Sequence, residues 1–193
     1  MNGIFNTEIV INAYKLGYFP MADSREGEIY WHSPEWRAVF PLHKIETDKS
    51  TIKKIRRGIF TFSFNNNFEL IVNSCANRAE TWISNDIIDT YTELHHLGFA
   101  HSIETWMDGE IVGGLYGVAI GGAFFGESMF NTKNDAAKAA FYMLIRRLEE
   151  RDFLLLDSQY INNFTRQLGA EEIAKKKYLK ILEKAISLVR NFD

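Results

Sequence analysis

"AHSIETWMDGEIVGGLYGVAIGGAFFGESMF", residues 100–130, decides the fold. It divides into three runs rich in β-branched and aromatic residues, "AHSIETWMD", "EIVGGLYGVAI" and "GAFFGESMF". Asp108-Gly109 separates the first pair and Gly121-Gly122 the second. Both dipeptides tolerate the positive φ that a tight hairpin demands, so the stretch predicts an antiparallel meander of three strands. The third run holds one carboxylate, Glu127, among apolar and aromatic neighbours. An ionised carboxylate taken out of water is costly unless it is paired or hydrogen-bonded, so Glu127 needs a partner.

C-terminal to the meander, "DAAKAAFYMLIRRLEERD" (135–152) predicts a long helix capped by Asp135 or Asn134. "FLLLDSQ" (153–159) is a short continuous apolar run, as in a strand buried on both faces. "KKYLKILEKAISLVRNF" (176–192) predicts a last helix with Tyr178, Ile181, Leu182, Ala185, Leu188, Val189 and Phe192 on one stripe. On the N-terminal side, "TEIVINAYKLG" (7–17) predicts a short helix stopped by Gly17. Residues 18–42 hold all three prolines, at 20, 34 and 41, which predicts irregular or edge structure. "DKSTIKKIRR" (48–57) predicts a basic helix closed by Gly58, and "IFTFSF" (59–64) a strand. "FELIVNSCANR" (68–78) and "NDIIDTYTELHHLG" (85–98) predict helices, the second with Ile87, Ile88, Tyr91, Leu94 and His95 on one face.

A meander followed by one helical crossover to a central strand makes an α+β mixed sheet flanked by helices, the layout of the acetyltransferase-like (GNAT-like) fold. A small N-terminal module over 1–44 and a GNAT-like catalytic domain over 45–193 are expected. By fold analogy alone this points to acyl-group transfer.

Composition narrows the class. The chain has 193 residues, 46% of them hydrophobic, and a formal net charge of -3, enough apolar content to exclude wholesale disorder. The mildly acidic balance neither demands nor forbids nucleic acid, so only a local basic patch argues for it. Cys75 is the single cysteine, which excludes an intramolecular disulfide framework and fits a reducing compartment. The opening "MNGIFNTEIVINAYK" lacks the basic and apolar regions of a signal peptide, and the longest apolar runs fall short of the ~20 residues that span a bilayer. A soluble cytoplasmic protein is expected.

Several familiar catalytic motifs are incomplete in this sequence. "G-E-S-M-F" lacks the second glycine of a G-x-S-x-G elbow, Phe130 standing in its place, and no histidine is placed to activate Ser128. The histidines, at 32, 43, 95, 96 and 101, do not reach metal-ligand spacing, nor does Cys75 have a partner at such spacing. "GEIVGG" and "AIGGAFFG" lack the lysine and spacing of nucleotide loops. "NTKNDAAK" stands where coenzyme-A users of this fold carry a glycine-rich pyrophosphate loop, so coenzyme A is not the expected donor. Polar groups within apolar strands remain: Glu127, Asp157 and Gln159. Asp157 and Gln159 are two apart, so one strand would aim both side chains the same way. They either cap helices and bond within the core, or line a site with Glu127.

Around these residues the sequence resembles the leucyl/phenylalanyl-tRNA–protein transferase family. The matching runs are "AYKLGYFP", "WHSPEWRAVFP", "TWI", "AHSIETW", "VGGLYGV", "FFGESMF", "LLDSQ" and "LGAEEI", spread over residues 13–173 in the family's order. The resemblance implies an enzyme that moves Leu or Phe, and less readily Met, from charged tRNA to the α-amine of a protein beginning with Arg or Lys. The product is marked for degradation by the N-end rule. It also implies a GNAT-like C-terminal domain that uses no metal and no organic cofactor.

The aminoacyl ester is already activated, so neither a covalent nucleophile nor a Lewis acid is needed. The attacking amine, with an ordinary pKa of about 8, must shed a proton. By the resemblance, Gln159 accepts a hydrogen bond from that amine, Asp157 polarises or orients it, and Glu127 meets the acceptor's positive charge. Positioning alone supplies up to ~7–11 kcal/mol in such reactions. The resemblance assigns the donor side chain to a pocket of Leu115, Met129, Leu144, Leu148 and Leu156, each of which is otherwise plain core. It assigns Trp82 and Trp31 to stacking on the 3'-terminal adenosine, the alternative for either being packing. Lys49, Lys53, Lys54, Arg56 and Arg57 form a basic face suited to tRNA phosphates, with Lys175, Lys176 and Lys177 a second cluster; a solvated face is the alternative.

Several positions depart from the family pattern. The segment before "AYKLGYFP" is short, and the second tryptophan of a Trp-Trp pair is His32. Asn131 and Ala137 replace serines, Phe164 replaces a histidine, and Ile173-Ala174-Lys175 replaces Ile-Pro-Arg. Glu127, Asp157 and Gln159 are all present. The alternatives are a GNAT-like acyltransferase with another donor or amine acceptor, and a non-catalytic module that binds tRNA or N-degrons.

Overall fold

A computed structural model describes residues 5–45, 48–78 and 81–193. In chain order the elements are α1 (Thr7–Lys15), β1 (Phe19–Ala22), β2 (Ile29–His32), β3 (Trp36–Phe40), α2 (Lys49–Arg56), β4 (Thr61–Phe64), α3 (Phe68–Ala76) and α4 (Asn85–His96). They continue with β5 (Ala100–Met107), β6 (Glu110–Ile120), β7 (Ala123–Asn131), α5 (Ala136–Glu150), β8 (Leu155–Asp157), α6 (Asn163–Gln167), β9 (Glu171–Ala174) and α7 (Lys175–Ile186). Asn6, Asp48 and Ser84 open α1, α2 and α4 by accepting from backbone N–H groups that the helix leaves unpaired.

The meander forms where the turn chemistry places it. Asp108 (φ 52°) and Gly109 (φ 82°) both take the left-handed conformation of a two-residue hairpin. The seven-stranded sheet runs β4-β5-β6-β7-β8-β3-β9, and β1 and β2 form a separate hairpin. β7 and β8 are parallel, joined by the crossover through α5, and the other neighbours are antiparallel. This is the expected GNAT-like mixed sheet. Strand alternation divides the core between two faces: Tyr116, Val118 and Phe125 pack with α1, α3, α4 and α7, while Leu115, Phe124 and Leu156 pack with α5. Gly113 lets α5 sit close on β6, because a Cβ there would lie 2.7 Å from that of Ala136.

Two features of β7 shape the site. Tyr116 pairs with Ser128 and Gly117 with Gly126, so Glu127 is the extra residue of a β-bulge. β7 also meets β8 only through Ala123–Phe125. Beyond Phe125 it runs on past the end of β8, leaving a notch in the sheet.

The structure corrects several expectations. Residues 18–42 are not irregular: they hold three strands, and β3 lies inside the large sheet, pairing with β8 and β9. A division at residue 44 therefore separates this strand from its sheet. The prolines permit it because Pro34 and Pro41 flank β3 and Pro20 sits in the small hairpin. Asp135 occupies the N-cap of α5 at φ 71° without capping it; its carboxylate pairs with Lys54 at 2.7 Å instead. α7 ends at Ile186, which leaves Val189, expected on its apolar stripe, exposed. Neither α6 nor β9 carries a periodicity long enough to announce itself.

Candidate active site

The notch between β7 and β8 opens into a cavity of about 520 Å³, lined by residues from both faces of the sheet. Glu127 stands in its wall, re-aimed by the bulge. Its Oε1 accepts from Tyr14 Oη at 2.6 Å and from Gln159 Nε2 at 3.2 Å, and its Oε2 accepts from Tyr91 Oη at 3.2 Å. The two tyrosine hydroxyls also meet each other at 2.5 Å. Desolvation pushes the Glu127 carboxyl up to about 7; the tyrosine hydrogen bonds and Arg37 pull the other way, and the nearby Asp157 charge adds to the rise. Burial and Glu127 together hold both tyrosines well above the ordinary phenol range, so they remain donors.

Asp157 is fully buried, and its oxygens are heavily engaged. Arg37 reaches it through Nε at 2.9 and 3.1 Å and through Nη2 at 2.7 Å, and Tyr178 Oη donates at 2.7 Å. Arg37 is itself buried, stacked between the rings of Phe19 and Tyr178. The remaining bond is from the backbone N–H of Gln159, at 2.9 Å.

Gln159 is not on the strand, so alternation does not explain its direction. β8 ends at Asp157, and Gln159 takes a left-handed φ of 57°, uncommon outside glycine. Its N–H bond to Asp157 and its carbonyl, which accepts from Ala38 N at 3.0 Å, hold that turn. The turn delivers the amide to Glu127.

Of the expected donor-pocket residues, Leu115, Met129, Leu144 and Leu156 line the cavity, together with Phe40 and Phe141. Leu148 does not: it is fully buried on the inner face of α5, as core. Trp82 lines the cavity, whereas Trp31 lies on β2 and packs against Phe5 at 5.9 Å. Lys49, Lys53 and Arg56 on α2 and Arg57 at its C-cap are exposed, but Lys54 is tied to Asp135. Lys175 Nζ is bonded to the Ser33 carbonyl at 3.1 Å. Asn131, Ala137 and Phe164, three of the positions that depart from the family pattern, line the cavity; His32 instead stacks on Phe19 at 5.6 Å.

Sequence reasoning missed Tyr14, Tyr91, Arg37 and Tyr178, the partners that hold the three polar residues. It also missed Arg78, a cavity-lining cation whose Nη2 donates to the Met129 carbonyl. "AYKLGYFP" and "WHSPEWRAVFP" contained Tyr14 and Arg37, but nothing local signals their burial. No group of three or more His, Cys, Asp or Glu among the described residues is arranged to hold a metal, and no described helix is long and apolar enough to cross a membrane.

The notch in this mixed sheet joins an apolar pocket to a half-buried carboxylate–amide pair. Sequence profiles identify the family. The leucyl/phenylalanyl-tRNA protein transferase profile matches residues 39–183, and the N-terminal domain profile of the same family matches residues 3–35. Proteins named leucyl/phenylalanyl-tRNA–protein transferase are 45% identical in Gloeobacter violaceus, over 96% of both chains, and 46% identical in Chlorobaculum parvum, over 95% of this chain and 97% of that one. A ribosomal-protein-alanine N-acetyltransferase structure from Brucella melitensis aligns in part, at TM-score 0.42 and 17% identity over 56% of this chain and 87% of that one. The chain belongs to the leucyl/phenylalanyl-tRNA–protein transferase family.

Proposed function

We propose that this protein transfers Leu or Phe, and less readily Met, from charged tRNA to the α-amine of proteins beginning with Arg or Lys, marking them for degradation. The observation that carries the reading is Glu127, held by the Gln159 amide, in the wall of a cavity whose other wall is apolar. The donor side chain enters the wall of Leu115, Met129, Leu144 and Leu156, and Trp82 stacks on the terminal adenosine. The basic face of α2 meets tRNA phosphates through Lys49, Lys53, Arg56 and Arg57. Residues before β3 form a small N-terminal module that supports this domain.

The chemistry divides among three residues. Gln159 spends its Nε2 on Glu127, leaving the amide oxygen to accept from the attacking amine. Asp157 spends its oxygens on Arg37, Tyr178 and the Gln159 N–H, so it acts as a positioning residue. Glu127 offers a carboxyl raised to about 7, suited to receive the amine proton or to face the acceptor's cationic N-terminus. As the amine nitrogen bonds to the ester carbon, the carbonyl π pair moves to oxygen. Its return expels the ribose oxygen, which takes up a proton.

The test mixes the protein with Leu-tRNA or Phe-tRNA and a peptide beginning with Arg, alongside an acyl-coenzyme A control. Peptide-bond formation is expected with either charged tRNA. Its absence with both would refute the reading; transfer from the acyl-coenzyme A would point to another donor, and binding without transfer to a silent module.

A further inference from the structure

Two buried side-chain polar atoms lack a hydrogen-bond partner among the described residues, Thr92 Oγ1 and Tyr116 Oη. Thr92 lies outside the cavity lining, whereas Tyr116 is part of it and is fully buried. The other tyrosines of this corner, Tyr14 and Tyr91, both spend their hydroxyls on Glu127 and on each other. An unmet buried hydroxyl costs ~1–3 kcal/mol, so packing alone would favour phenylalanine here. The ring contacts give the hydroxyl no purpose. Tyr116 meets Phe68 and Tyr91 edge-on, at 5.9 and 5.8 Å, and phenylalanine would do the same.

Its position supplies a purpose. Tyr116 stands directly across from Ser128, the residue after the bulged Glu127. Arg78, exposed at the cavity, donates to Ser128 Oγ at 3.4 Å and to the Met129 carbonyl. Tyr116 therefore shares the cavity lining with Arg78, Ser128 and Glu127, beside the apolar pocket to which Met129 belongs.

We propose that Tyr116 is a further catalytic residue, whose hydroxyl donates a hydrogen bond to the carbonyl oxygen of the transferring aminoacyl ester as that oxygen takes up negative charge. The proposal rests on the aminoacyl-transfer reading above. When the amine attacks, the C–N bond forms and the π pair moves onto this oxygen. When the pair returns, the bond to the ribose oxygen breaks, and Tyr116 keeps its proton throughout. Burial, then the neighbouring Glu127 and Cys75, raise its phenol well above the ordinary range, so it remains a neutral donor. A fixed donor shielded from water stabilises developing charge better than an exposed one.

The experiment compares Tyr116→Phe with wild type, using Leu-tRNA or Phe-tRNA and a peptide beginning with Arg, and follows thermal unfolding of both proteins. The expected result is a kcat lower by about 100- to 1,000-fold, as for removal of one oxyanion donor. KM for charged tRNA is expected to hold, and Tm to hold or rise, because an unmet hydroxyl has gone. An unchanged kcat would overturn the proposal, as would a loss of kcat accompanied by a lower Tm, which would mark a packing role. Wild type inactive with both donors would instead overturn the aminoacyl-transfer reading, so the two failures are separable.

Discussion

The Tyr14 hydroxyl sets where Glu127 titrates, and Tyr14→Phe tests this. In the folded protein desolvation raises the Glu127 carboxyl to about 7, and the 2.6 Å bond from Tyr14 is the first effect opposing it. That bond favours the charged form, so its loss moves the pKa further up. A hydrogen bond to a charged group contributes ~1.5–3 kcal/mol, and ~1.4 kcal/mol corresponds to one pKa unit. Gln159 Nε2 shares the same oxygen and Tyr91 holds the other, so they recover part of the loss. A rise of about one unit is expected. The assay is kcat/KM against pH for peptide transfer, taken as the ratio of variant to wild type so that ionisation of the substrate amine cancels. The ratio should be near one at pH 9 and fall about tenfold below pH 7, the consequence of a one-unit shift. A ratio independent of pH would refute the claim that the charged form of Glu127 is the working form and that Tyr14 governs it.

Other perturbations separate the roles. Glu127→Gln should raise Tm at pH 8 and leave it unchanged near pH 4. The folded pKa lies above the ordinary value, so wild type loses stability as pH rises from about 4.5 through about 7, and the glutamine variant does not; equal pH profiles in thermal melts would exclude this. Arg37→Ala leaves Asp157 buried and unpaired, and should cost ~3–5 kcal/mol in urea unfolding. Leu148→Ala should cost ~2–5 kcal/mol of stability while leaving the ratio of Leu to Phe transfer unchanged, because the residue is core. Leu144→Ala, in the cavity wall, should alter that ratio in competition assays.

Much of the sheet was legible because turn chemistry is local. Asp108-Gly109 can hardly do anything but turn, and its flanking runs pair accordingly. Glu127 was legible as an anomaly, a carboxylate in an apolar run. What answered the anomaly was not legible, because Tyr14 lies 113 residues away in sequence and reads as an ordinary aromatic on a helix. The bulge escaped because counting alternate residues assumes that each has a partner. Strand alternation does not aim Gln159, which lies beyond the end of β8; its left-handed turn brings it to Glu127. β3 was masked by its flanking prolines, whose missing donors lie outside the paired residues. Leu148 and Leu144 share the apolar stripe of α5, and only the placement of the notch separates pocket from core.

Arg37 and Asp157, paired across 120 residues, also constrain when the site can come into being. Closing so long a segment is slow compared with forming the meander, whose contacts are local. During synthesis, β3 emerges early and must wait for β8, and then for Tyr178 on α7, before the carboxylate that positions Gln159 is held. A chain still attached to the ribosome therefore presents its hairpins before its chemistry, and transfer competence arrives with the last helix.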